Sequence, residues 1–233
     1  GLSNESVTRY RSQIENAGLT VVGLHSLVFD HPELQLFGDV GSTSNTLQFM
    51  IHLSSVCRDL GGKTLIWGGG RRRGNVPPED AFKRAVEFMI TLCDKTAEHG
   101  TTFCFEPLGP SDSDFINSVL DAKEFAETVN RPNHRIQIDA KALVENDEID
   151  LNIFNAVASE IVHFHANEPG LVVIGRTNTV DHARIGEMLR GVHYNGFISA
   201  EQRMLSETTY IEDARESFVA LEKNYSPIEK YSK

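Results

Sequence analysis

The sequence predicts an α/β fold of parallel strands covered by helices, and three observations carry that expectation. Short apolar runs rich in β-branched and aromatic residues alternate with amphipathic stretches of helical length. Each apolar run leads into a helical stretch and none into a hairpin partner, which implies parallel strands joined by helical crossovers. Four of the six runs also end on a side chain able to bind a cation.

In chain order, Val7–Asn16 reads as a helix stopped by Gly18, and Leu19–Leu24 is the first strand. Ser44–Leu60 is amphipathic and closed by Gly61-Gly62, after which Lys63–Trp67 is the second strand. Pro78–His99 opens with a proline and acids in its first turn and meets Gly100 just past its end. The strand Thr101–Glu106 and helix Ser118–Val129 follow, then Arg135–Asp139 and Leu151–Ser159. Ile161–His165, the helix Asp181–Val192 with Asp181 as its N-cap, Gly196–Glu201 and Ile211–Lys223 complete the series. No linker, low-complexity tract or charge block interrupts residues 1–233, so one domain is expected.

Six parallel strands fit either an open doubly wound sheet or part of a (β/α)8 TIM barrel, which has eight. The strand ends favour the barrel. TTFCFE ends on Glu106, RIQID on Asp139, IVHFH on His165 and GFISAE on Glu201, at intervals of 33, 26 and 36 residues. Ends of parallel strands share one rim; a barrel brings them to a common point, whereas an open sheet strings them along a line. The expected fold is therefore a barrel whose first strand, first helix and second strand precede Gly1, an N-terminally incomplete domain. A bare six-stranded wall would leave two open edges, so a homo-oligomer or a longer polypeptide is expected.

Glu106, Asp139, His165 and Glu201 together offer three carboxylates and one imidazole. A lone acid at a strand end is usually a rim group or a helix cap, but four on successive strands suggest one divalent cation. The oxygen-rich set suits Mn²⁺ or Mg²⁺, with Co²⁺ as a further candidate. Cys57, Cys93 and Cys104 are far apart in sequence with no CxxC pair, which argues against structural zinc and fits a reducing cytoplasm.

Composition excludes other classes. The chain has 22 Lys and Arg against 33 Asp and Glu, a formal charge of −11, which disfavours a nucleic-acid partner. No apolar run reaches the ~18 residues of a membrane span, and no signal peptide is read at the N-terminus. A cytoplasmic protein acting on a small molecule is expected.

The pieces AGLTVVGLHSL, LGGKTLIWGGG, FCFEPL, IQIDA, HFHANEPG and NGFISAEQR resemble the xylose-isomerase-like barrels over nearly all of residues 14–203. The resembled group is the sugar phosphate isomerases and epimerases, among them D-tagatose and D-psicose 3-epimerases and hydroxypyruvate isomerase. The resemblance implies a small carbohydrate substrate, with one metal on Glu106, Asp139, His165 and Glu201. It also implies that Glu106 and Glu201 are the catalytic acid/base pair. Two departures bear on the substrate. Asp139 is followed by Ala140-Lys141-Ala142, without the His that many members carry at the last of these positions, and Leu171 stands where free-ketose epimerases place an Arg.

Glu168, in the matching HxxE position, is retained as a substrate-binding candidate. His25 is a candidate for a sugar hydroxyl contact and Trp67 for a stacking face, each weighed against plain packing. Arg71-Arg72-Arg73 reads as a solvated charge run, with a phosphate contact as the sharper alternative. Three other functions share parts of this pattern. A dehydratase of the same barrel family uses the same ligand frame. A DNA-repair enzyme resembling endonuclease IV is disfavoured by the charge and by the absent His. A non-catalytic sugar-binding barrel needs no turnover.

Overall fold

The computed structural model describes residues 3–226. Six strands form one sheet in sequential order: β1 (Gly23–Leu24), β2 (Thr64–Trp67), β3 (Thr102–Phe105), β4 (His134–Asp139), β5 (Ile161–Ala166) and β6 (Phe197–Ala200). Every neighbouring pair is parallel. The helices are α1 (Asn4–Asn16), α2 (Val40–Leu60), α3 (Pro78–Lys95), α4 (Val119–Val129), α5 (Ala140–Glu145), α6 (Leu151–Val157), α7 (His182–Gly191) and α8 (Tyr210–Tyr225).

Local chemistry explains the helix boundaries. Asp39 caps α2 by accepting from the Ser42 N–H at 2.8 Å, so this helix starts four residues before the expected Ser44. Its end is set by Gly61, whose φ of 94° places it in the left-handed region that halts a helix. Ser118 and Asp121 form a reciprocal capping box at α4. Asp181 accepts from the Arg184 N–H at 3.0 Å and caps α7, as its position suggested.

Strand alternation sorts the two faces of the sheet. Leu65, Trp67, Phe103, Phe105, Ile136, Ile138 and Phe164 join the apolar core with Met89, Phe125 and Phe154 from the helices. Gln137, Asp139, His163, His165 and Ser199 share the opposite face with Thr64, Ile66 and Cys104, so that face carries the polar groups of the sheet.

The sheet curls into an incomplete barrel wall. Six flat strands would separate their outer members by roughly 24 Å. Here His25, just past β1, lies 3.9 Å from Glu201, just past β6, and one cavity of about 340 Å³ is lined by residues from both edges. The open doubly wound alternative is thereby excluded. The first strand is shorter than expected: Gly23 and Leu24 alone pair with β2, whereas Leu19–Leu24 was anticipated. Leu19 is exposed, so the apolar run that signalled a strand finds no second neighbour among the described residues.

Candidate metal centre

The strand ladder continues one residue beyond β3 and β6, with Glu106 N–H donating to Trp67 O and Glu201 N–H to Ala166 O. Asp139 closes β4 opposite His165 in register on β5. The four residues therefore share the carboxyl rim of the wall. One ligand atom from each lies within 4.8 Å of all the others. Glu106, Asp139 and His165 are buried and Glu201 is half-buried.

Room for this cluster depends on Gly68, just beyond β2. A Cβ there would sit 1.9 Å from Glu106 Oε2, so the first glycine of the WGGG run admits the carboxylate. Asp139 serves twice. Its Oδ1 accepts from the Ala142 N–H at 2.8 Å and caps α5, a helix that sequence periodicity did not reveal.

Electrostatics mark the cluster as overcharged. Burial, then the charges of Glu106 and Glu201, pushes the Asp139 carboxyl well above the usual carboxylate range. Burial alone would lower His165, but Glu106 and Glu201 beside its Nδ1, at 3.3 and 3.6 Å, outweigh it and lift the imidazole. Burial would likewise raise Glu201, but His165 and then Asn167 hold it low. Among the described residues the buried Nδ1 finds no aligned hydrogen-bond partner. A buried imidazole nitrogen facing an excess of carboxylates is the arrangement a divalent cation satisfies. The oxygen-rich donors fit Mg²⁺ or Mn²⁺, and no thiol belongs to the cluster.

The substrate candidates separate. His25 lies at the cluster, half-exposed, with its ring edge-on to His165 at a centroid distance of 5.7 Å. Trp67 does not. It is buried between Phe88 and Phe105 on the helical side, because residue 67 alternates away from the polar face. Its expected role as a stacking face is corrected to core packing. Glu168 is fully buried and turned into its own loop, where it accepts from Gly175 N–H at 2.8 Å, from the Thr177 hydroxyl and from His182 at 3.3 Å. These partners, not a sugar, use its oxygens.

The arginine run divides: Arg71 is buried, Arg73 is partly buried and Arg72 alone keeps the exposure expected of a solvated charge run. Arg71 is buried over the Phe105 ring, and its guanidinium donates to the carbonyls of Glu106 and Phe115. Arg72 donates to Ser111 O, and Arg73 donates from its main-chain N–H to the Asp114 carboxylate and from Nε to Asp114 O. The three pin the loop after β2 to the loop after β3. A charge run adjacent to a glycine turn looks exposed throughout in sequence; the burial of Arg71 between the two loops is tertiary.

Asn167 escaped the sequence reading. Its Nδ2 donates to Asp139 Oδ2 at 2.5 Å and to Glu201 Oε2 at 2.8 Å. The signal was present as a polar residue every second position through His163, His165 and Asn167 on a strand otherwise apolar.

Fold and rim cluster together define a parallel βα-barrel protein with a carboxylate–histidine site at the carboxyl ends of its strands. The family model of the xylose isomerase-like TIM barrel matches residues 1–221, and the chain belongs to that family. D-psicose 3-epimerase of Ruminiclostridium cellulolyticum is 28% identical over 121 residues, which span 52% of this chain and 41% of that protein. The aligned stretch is thus less than half of that relative. The crystal structure of D-psicose 3-epimerase with D-tagatose from Clostridium cellulolyticum H10 superposes with a TM-score of 0.83 at 17% identity, over 97% of this chain and 86% of that one. The 3-keto-D-glucoside 4-epimerase of E. coli superposes with a TM-score of 0.78 at 18% identity, over 93% and 85%. These two likenesses show the fold.

Proposed function

We propose that the protein is a divalent-metal-dependent isomerase or epimerase of a ketose or related carbohydrate. The observation that carries this reading is the convergence of Glu106, Asp139, His165 and Glu201 within 4.8 Å at the barrel rim. A partial likeness to a sugar 3-epimerase supports the substrate class. Asp139 and His165, central on β4 and β5, would chiefly hold the ion. When bound, the cation would polarise the substrate's carbonyl and hydroxyl oxygens and so ease removal of the poorly acidic adjacent C–H proton.

Glu106 and Glu201 flank Asp139 and His165 in strand order, just past β3 and just past β6. By the resemblance to the sugar epimerases, one of these carboxylates would take the proton from one face of the substrate while the other returns a proton to the opposite face. His25, beside Glu201, is positioned to contact a sugar hydroxyl. Trp67 and Glu168 are left out of the site. The compartment proposed is the cytoplasm; among the described residues no helix is long and apolar enough to cross a membrane.

Glu201→Gln tests the chemistry. The amide cannot accept a proton, so solvent deuterium incorporation next to the carbonyl should fall by about 10³-fold on a ketose panel with Mn²⁺. Unchanged exchange would remove Glu201 from the acid/base role. Product mass separates the dehydratase alternative, which loses one water where an isomerase loses nothing.

We also propose that two further strands complete the wall between β1 and β6, supplied by more of the same polypeptide or by a second copy. Each edge strand has a neighbour on one side only among the described residues, and Phe197 and Leu19 expose apolar surface there. Light scattering after size exclusion tests the shared arrangement, since a stable monomer of this chain alone would contradict it.

A further inference from the structure

We propose that Asn167 is a positioning residue whose side-chain amide sets the separation of Asp139 and Glu201. The inference rests on the metal-site reading above. Asp139 and Glu201 belong to β4 and to the end of β6, which are not neighbours, because β5 runs between them. Asn167 stands just past the end of β5, two residues after His165 and on the same face. From there, Nδ2 reaches Asp139 Oδ2 at 2.5 Å on one side and Glu201 Oε2 at 2.8 Å on the other.

The orientation of the amide is decided by a third contact. The main-chain N–H of Lys141 donates to Oδ1 at 2.9 Å, so the oxygen end is engaged with α5 and the NH₂ end must face the carboxylates. The side chain is 1% exposed, so no solvent competes for these donors. Two like-charged groups would otherwise repel, and a shared donor between them draws each toward a common volume. One oxygen of each carboxylate is thus anchored. Neither Asp139 Oδ1, which caps α5, nor Glu201 Oε1, which faces His25, is contacted by the amide.

The competing role is purely structural: Asn167 braces α5 through Lys141 and does nothing more. Two variants separate the roles. Asn167→Asp keeps Oδ1 as acceptor for Lys141 while replacing the NH₂ donor by a carboxylate oxygen. Asn167→Ala removes both functions. The probe is MnCl₂ titrated calorimetrically into chelator-stripped protein, with thermal melting of the stripped protein alongside. Positioning predicts that both variants bind Mn²⁺ 10- to 100-fold more weakly than wild type, as for other groups that orient metal ligands. Bracing alone predicts wild-type Mn²⁺ affinity in Asn167→Asp, and that result, or tighter binding, overturns the inference. If Asn167→Ala does not fold, Asn167→Asp still decides. Wild-type protein that binds no Mn²⁺ would instead overturn the metal reading and this inference with it, whereas wild-type binding with unaffected variants overturns the inference alone.

Discussion

Two buried carboxylate–imidazole groups in this chain do different work. His182 meets Glu168 at 3.3 Å inside the loop that leads to α7, and its other nitrogen contacts the Tyr225 hydroxyl at 2.5 Å. Gly175 and Thr177 donate to the same carboxylate. Donors and acceptors match, and nothing further is required. At the rim, His165 faces Glu106 and Glu201 with Asp139 beside them, and its buried Nδ1 has no aligned partner among the described residues. The electrostatic consequence is opposite: burial lowers His182 despite Glu168, while the carboxylates lift His165. A structural polar network is balanced, whereas a site keeps coordination capacity and excess charge for a ligand.

The largest effect that tests this contrast is Glu168→Ala. It removes the acceptor shared by Gly175, Thr177 and the buried His182, and should cost about 2 kcal/mol in denaturant unfolding. Mn²⁺ affinity should stay within about twofold, by the logic that Glu168 stands apart from the cluster. The reverse pattern, intact stability with weakened Mn²⁺ binding, would return Glu168 to the site.

Acid sensitivity gives the next effect. His134 is wholly buried against Phe125, with neither ring nitrogen partnered among the described residues, and burial pushes it down to about 3. Between pH 6.5 and about 3 the unfolded chain binds a proton that the folded chain refuses, so stability falls with pH across that window. The slope from this group is on the order of 1 kcal/mol per pH unit. His163, lowered to about 4 chiefly by burial, adds to it. His134→Leu should flatten the slope in urea titrations at stepped pH; an unchanged slope would show that the buried imidazole is not responsible.

The smallest effect concerns Gly68. Gly68→Ala should displace the Glu106 carboxylate and weaken Mn²⁺ binding about tenfold with little change in melting temperature. Gly69→Ala is the control, because the added Cβ meets nothing within 4 Å. Equal Mn²⁺ affinities in the two variants would break the argument that WGGG makes room for a ligand.

Much of this was legible beforehand, for identifiable reasons. Parallel strands and their rim residues could be read because alternation and βα spacing are local and repeat along the chain. Glu106, Asp139, His165 and Glu201 stood out since carboxylates and imidazole end apolar runs, where they are costly without partners. The short helix α5 was hidden, because its cap is the same Asp139 that ends β4 and its six residues are too few to show a period. The shortness of β1 was hidden too, since pairing depends on neighbours that a single run of residues does not specify.

By itself, then, the sequence determined the layer architecture, the parallel order and the rim on which a cation site would lie, all consequences of periodicity and chain spacing. Tertiary structure decided which polar groups are already satisfied. It turned Glu168 toward Gly175 and His182, folded Arg71 under two carbonyls, buried Trp67 among phenylalanines and placed Asn167 between two carboxylates. The physical reason is that hydrogen bonds and charge contacts act over a few ångströms between residues far apart in the chain, and such proximity exists only once the wall has curled.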